Sequence, residues 1–169
     1  MRKLSTERLY LVDPYNERHI EMIRQFEIDH KLSLQYSESL GKIASSVSQE
    51  KYLQAKRDKN EIEEDLFIEK DSQIVDYCHI HGEKDVKSVK IIPASLKELE
   101  RKRRIVTLAT NYAMNILGME EVFVEINPKN RGLMNYLENK GYENLGEEED
   151  KIIYLKEREE MVNSQRMIA

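Results

Sequence analysis

The 169-residue chain has a single cysteine, Cys78. It can therefore form no internal disulfide and cannot assemble a thiolate-rich structural zinc site from one chain. Nowhere do about twenty apolar residues follow one another, and the first ten residues carry scattered charges in place of an apolar stretch of signal-peptide length. No membrane segment or leader is expected, and with a reducing compartment implied the expected location is cytoplasmic. Net positive charge is also lacking. A formal charge of −5 argues against a nucleic-acid partner, because phosphate neutralisation dominates such affinity. No internal repeat is visible. The 40% hydrophobic and 35% charged residues suit a folded unit with a charged surface, and a chain of this length hides about 70% of its unfolded surface.

The β-prone run Arg8 to Val12 ends at Asp13-Pro14 and predicts a first strand. From Asn16, Ile20, Ile23, Phe26 and Ile28 recur at helical spacing among charged residues and predict a first helix. Residues 31–48, rich in serine with Gly41 among them, read as a long loop on the substrate side. Residues 50–64 read as a charged surface helix turning at Asp58 to Asn60. Three β-prone runs follow, Leu66 to Ile68, Ile74 to Ile80 and Val86 to Ile92, joined by polar hairpin-type connections, so an antiparallel meander is predicted.

Ser95 and Glu98 form a capping box that opens a long helix striped by Leu96, Leu99, Val106, Ala109, Ala113 and Ile116, with Gly118 as its stop. Val122 to Ile126 is a buried-type strand, Asn127-Pro128 a turn, Leu133 to Leu137 a short helix closed by Gly141, and Ile152 to Leu155 a last strand. The strand, long helix, strand succession is a crossover suited to parallel pairing. Residues 1–155 are expected to form one domain, and 156–169 a charged tail with helical character.

The stretch Asn111 to Asn130, followed by Asn139-Lys-Gly-Tyr142, resembles the C-terminal half of the Gcn5-related N-acetyltransferase family, and Thr6 to Leu11 resembles the first strand of its ribosomal-protein subgroup. The resemblance implies an α/β fold with a mixed, mostly antiparallel sheet of six to seven strands and helices on both faces. That sheet splays between its fourth and fifth strands to admit acyl-CoA. Acetyl-CoA is then the donor, its arm pairing with backbone at Ile91 and Ile92, and Asn127 and Asn130 lie near it. The acceptor is a small-molecule or peptide amine, and a homodimer is left open.

Three departures from the family stand out. The glycine-rich loop that cradles the cofactor pyrophosphate is replaced by Leu96-Lys-Glu-Leu-Glu-Arg-Lys-Arg103. Arg101 and Arg104, in the densest basic cluster, are candidates to hold those phosphates by charged forks, although by itself the cluster is a solvated helix face. The family's acid tyrosine aligns with Leu137, and Tyr136, about 100° away around the helix, is the substitute candidate. The fourth strand offers no carboxylate base.

His79 and His81 share one strand face with Tyr77, with Cys78 opposite, and are candidates for proton transfer or ordinary strand residues. Two ligands are too few for zinc, and no metal is expected. Glu147 to Asp150 reads as an acidic hairpin tip, a solvated turn that would also attract a cationic amine. Three functions from different classes follow: acyl-CoA-dependent acetylation of a primary amine; a catalytically inactive binding or regulatory module on the same fold, the reading that the lost glycines suggest; and, disfavoured by the small basic cluster and the acidic chain, a nucleic-acid or protein adaptor acting through the basic helix.

Overall fold

In a computed structural model, residues 7–94 and 102–159 are described. The element order is β1 (Arg8–Leu11), α1 (Glu17–Asp29), α2 (Gln35–Ser46), α3 (Gln49–Asp58), β2 (Glu61–Lys70), β3 (Gln73–Glu83), β4 (Ser88–Pro93), α4 (Lys102–Asn115), β5 (Glu121–Ile126), α5 (Arg131–Asn139), β6 (Glu143–Glu148) and β7 (Lys151–Glu157). The seven strands form one sheet in the order β1-β2-β3-β4-β5-β7-β6. Every neighbouring pair is antiparallel except β4 and β5, which the α4 crossover joins in parallel. The meander and the parallel crossover both stand as the sequence predicts.

Alternation along the strands divides the core in two. On one face Leu66, Cys78, Ile80, Val89, Ile91, Val122 and Val124 pack beneath Ile105, Val106, Ala109 and Ala113 of α4 and Leu133 and Leu137 of α5. On the other, Phe67 and Ile74 meet Met22 and Ile23 of α1 and Leu40 of α2. Helices thus cover both faces. Asn16 caps α1 by accepting from the backbone of Arg18 and His19, and Gly118, at φ 74°, follows α4 where a stop is predicted.

Three sequence expectations need correction. The predicted loop over 31–48 contains α2, whose N-terminus is capped from a distance, the Ser37 amide donating to Glu27 Oε1 of α1 at 3.1 Å. The charged helix ends at Asp58, and 61–64 belong to β2, whose acidic residues alternate with buried Ile62. Glu149 and Asp150, both at positive φ, are the tip of the hairpin expected over 147–150, but Glu147 and Glu148 belong to its first arm, the strand β6, which is exposed along its whole length. The capping box at Ser95 and Glu98, Arg101, and residues 160–169 lie outside the described residues. Just past β7, Arg158 donates to the carbonyls of Met119, at 3.2 Å, and Met114, so the chain leaves the sheet against the end of α4.

Candidate active site

The ladder between β4 and β5 runs from Ser88 paired with Glu121 to Ile91 paired with Val124, and stops there although both strands continue, to Pro93 and Ile126. Their backbones separate into a cleft of about 290 Å3 lined by Ile92, Pro93, Ala94, Glu125, Ile126, Asn127, Asn130, Leu133 and Lys151. A parallel pair that parts at the C-terminal end of its strands leaves backbone donors and acceptors unpaired on facing edges.

Of the residues singled out in the sequence, Ile92, Asn127 and Asn130 meet at this cleft. Ile91 lies one position earlier, its side chain buried in the core and its backbone paired with Val124. Asn127 Oδ1 accepts from the Lys129 amide at 2.9 Å, and Asn130 Oδ1 caps α5 by accepting from the Leu133 amide at 3.2 Å. Those bonds use the amide oxygens, and among the described residues neither side-chain NH2 group has an acceptor.

Arg104 is drawn elsewhere: its Nη1 lies 2.5 Å from Glu7 Oε2, next to β1 at the edge of the sheet. Arg103 instead reaches α5, with its guanidinium 5.7 Å from the Tyr136 ring centre. Tyr136 lies between the helices, its hydroxyl 2.9 Å from Thr107 Oγ1, and does not line the cleft. Leu137 is fully buried.

His79 stands directly across from Ile92 in the β3–β4 register, so their side chains share a face. The same register on the other side sets His79 opposite Asp65 of β2. Asp65 Oδ1 lies 2.8 Å from His79 Nδ1 and accepts the Tyr77 hydroxyl at 2.7 Å, and Oδ2 accepts the Tyr36 hydroxyl at 2.5 Å. Burial opposes ionisation of Asp65, but the hydrogen bonds from His79, Tyr36 and Tyr77 outweigh it and hold its carboxyl below the ordinary value. The Asp65 hydrogen bond raises the His79 pKa against partial burial, and burial followed by the Asp65 charge raises both phenols.

His81 stacks on His79 with ring centres 5.7 Å apart, and its pKa is lowered by burial and then by the charges of His79 and Lys90. Tyr36 and Tyr77 also line a second cavity of about 350 Å3 between α1, α2 and β3, with Ile23, Phe26 and Leu32 as apolar walls. Among the described residues no group of three or more metal-ligating side chains is gathered.

Sequence reasoning missed Asp65 and Tyr36. The first is hidden in an acidic and apolar run, and the second lies in the stretch read as a loop. The signal that reaches Asp65 is register: with His79 on β3, its antiparallel partner on β2 shares its face.

No protein-family model matches the sequence, and no curated protein matches it significantly. The fold has clear counterparts among solved structures. It is similar to the N-acetyltransferase PseH of Campylobacter jejuni, at 15% identity and a TM-score of 0.58 over 90% of this chain and 99% of that one. It is likewise similar to spermidine N-acetyltransferase from Vibrio cholerae, a dodecamer, at 13% identity and a TM-score of 0.62 over 94% and 97% of the two chains. The PaiA N-acetyltransferase of Thermoplasma acidophilum, solved with coenzyme A, matches at 12% identity and a TM-score of 0.53 over 90% and 99%. The chain therefore has the Gcn5-related N-acetyltransferase fold, with a mixed, mostly antiparallel sheet of seven strands.

Proposed function

We propose that this protein transfers an acetyl group from acetyl-CoA to a primary amine. The observation that carries the reading is the parting of β4 and β5 after Ile91 and Val124, within a fold shared with N-acetyltransferases. The cleft suits a thin, amide-containing arm: it offers unpaired backbone on two edges, the side-chain amides of Asn127 and Asn130, and the apolar side chains of Ile92 and Leu133. Acetyl-CoA supplies an activated thioester carbonyl. The protein holds the arm, keeps the amine near the Ile92 side of the sheet, and accepts the amine's proton, with backbone donors at the cleft stabilising charge on the carbonyl oxygen. Arg101, Arg103 and Arg104 belong to the basic cluster that follows the end of β4, where the family holds its cofactor phosphates, and of the two described, Arg103 is directed to α5 and Arg104 to Glu7.

Two arms test the reading. Calorimetric titration with acetyl-CoA and with CoA is expected to give saturable binding, lost in Ala94→Trp, which fills the cleft. Thiol release from acetyl-CoA is then followed with propylamine, a diamine, an amino sugar and a short peptide, and acceleration by at least one is expected. Absence of heat at millimolar ligand would overturn the transferase reading and leave an inactive binding module.

A further inference from the structure

We propose that Asp65 is a positioning residue that fixes His79 as the general base of the transfer, with the hydroxyls of Tyr36 and Tyr77 fixing Asp65 in turn. This rests on the acetyl-transfer reading above and names the group that accepts the amine's proton.

An ionised carboxylate accepts hydrogen bonds and donates none, so the contact of His79 Nδ1 with Asp65 Oδ1 puts the ring proton on Nδ1 and leaves the lone pair on Nε2. The contrast within the chain is His19, whose Nδ1 accepts from the Asp13 amide at 3.2 Å and which therefore carries its proton on Nε2. Tyr36 and Tyr77 both donate to Asp65, so each carboxylate oxygen is held and the imidazole is aimed by a fixed partner. The His79 side chain is 34% exposed, and no described residue takes its Nε2. That nitrogen belongs to the strand residue paired with Ile92, and it is Ile92 that lines the cleft. Side chains of β3, which strand register brings to Asp65, and of α2, twenty-nine residues away in sequence, thus meet on one carboxylate of β2.

His79 Nε2 takes a proton from the incoming ammonium and becomes imidazolium, stabilised by Asp65. The neutral amine forms its N–C bond to the thioester carbonyl carbon, the C–S bond breaks, and the second amine proton ends on the departing sulfur as CoA leaves as its thiol. The imidazolium then returns its proton to solvent.

Other charged groups face this centre. From β2, Glu63 and Glu64 add negative potential at His79. On β3 the neighbours are Tyr77 and stacked His81, and Lys90 of β4 and Glu125 of β5 act on His81. Glu27 of α1 and Tyr36 of α2 line the cavity that Tyr77 shares.

Two measurements decide the matter. The first is nitrogen-15 NMR of histidine-labelled full-length protein, with His79→Gln assigning the resonance. The expected pattern is an Nδ1-protonated neutral ring that titrates above an ordinary histidine in the wild type and lower in Asp65→Asn. The second is kcat against pH with acetyl-CoA and propylamine. The wild-type rate should rise with pH through the titration seen by NMR. Asp65→Asn should lower kcat about tenfold or more and move that limb to lower pH, and His79→Gln should lower kcat about a hundredfold and abolish the limb.

An Nε2-protonated ring, or a titration that Asp65→Asn leaves in place, overturns the assignment on the wild-type protein whatever the kinetics. Turnover close to the wild-type rate in His79→Gln overturns it while leaving acetyl transfer intact. Absence of turnover with every amine in the wild type overturns both.

Discussion

A β-carbon placed on Gly82 would lie 2.1 Å from the carbonyl oxygen of Ser88 and 2.6 Å from the Cα of Val89, its partner across β3 and β4. Both obstacles are backbone and cannot swing aside. Gly82→Ala is therefore expected to destabilise the protein by about 1–3 kcal/mol, the range of an overpacked interior, measured by urea denaturation. Gly82 adjoins His81 on the strand that carries His79, so transferase activity should fall further than stability does. A variant as stable as wild type would mean that β3 and β4 can part at this point.

Arg103 and Arg104 are neighbours in sequence that face different partners. Arg103→Ala is expected to weaken acetyl-CoA about tenfold, the loss of about 1.4 kcal/mol, because its guanidinium stands beside α5, whose cap Asn130 lines the cleft. Arg104→Ala is expected to weaken it less, since that side chain already serves Glu7. Calorimetry on the pair checks the order, and a larger loss from Arg104→Ala would return the phosphates to that residue.

Stability should depend on pH through Asp65 and His79 with opposite signs. The Asp65 carboxyl is held below its ordinary 3.8, so its contribution is present above that pH and is lost as the pH falls through the lowered native value. The His79 imidazole is raised above its ordinary 6.5, so its contribution is complete below that pH and is lost as the pH rises through the raised native value. Between those two ordinary values both are present in full. Urea midpoints measured across the range should decline on both sides, and His79→Gln should flatten the alkaline side.

Tyr136 offers a separable test. Its hydroxyl bonds Thr107 between α4 and α5, so Tyr136→Phe should cost about 1 kcal/mol of stability with the pH dependence of kcat unaltered. A tenfold fall in kcat would instead restore it to the role of acid.

The parts of this fold that were legible in the sequence are those whose signals are local. Asn130, the apolar stripe at Leu133 and Leu137, and Gly141 mark α5 at both ends within a dozen residues, and Val122 to Ile126 reads as the buried strand it is. Helix α2 was illegible for the opposite reason. Its capping acceptor is Glu27, ten residues upstream on another helix, and its apolar positions Leu40 and Ile43 are diluted by serine and Gly41. Strand β6 buries nothing, so no alternation marks it. At the site, His79, Asn127 and Asn130 could be picked out by residue type. Asp65 could not, because only the strand register sets it beside His79.

Exposed β6 forms one edge of the sheet, and Glu143, Glu147 and Glu148 sit along it with an irregularity in pairing between Asn144 and Gly146. An open edge is a template on which a second chain can add a strand. Here an arriving copy of the same strand would set carboxylate against carboxylate on a backbone that is out of step. The edge is guarded by charge, and acidification that neutralises those carboxylates would remove the guard and let sheets join end to end, a route to aggregation distinct from unfolding.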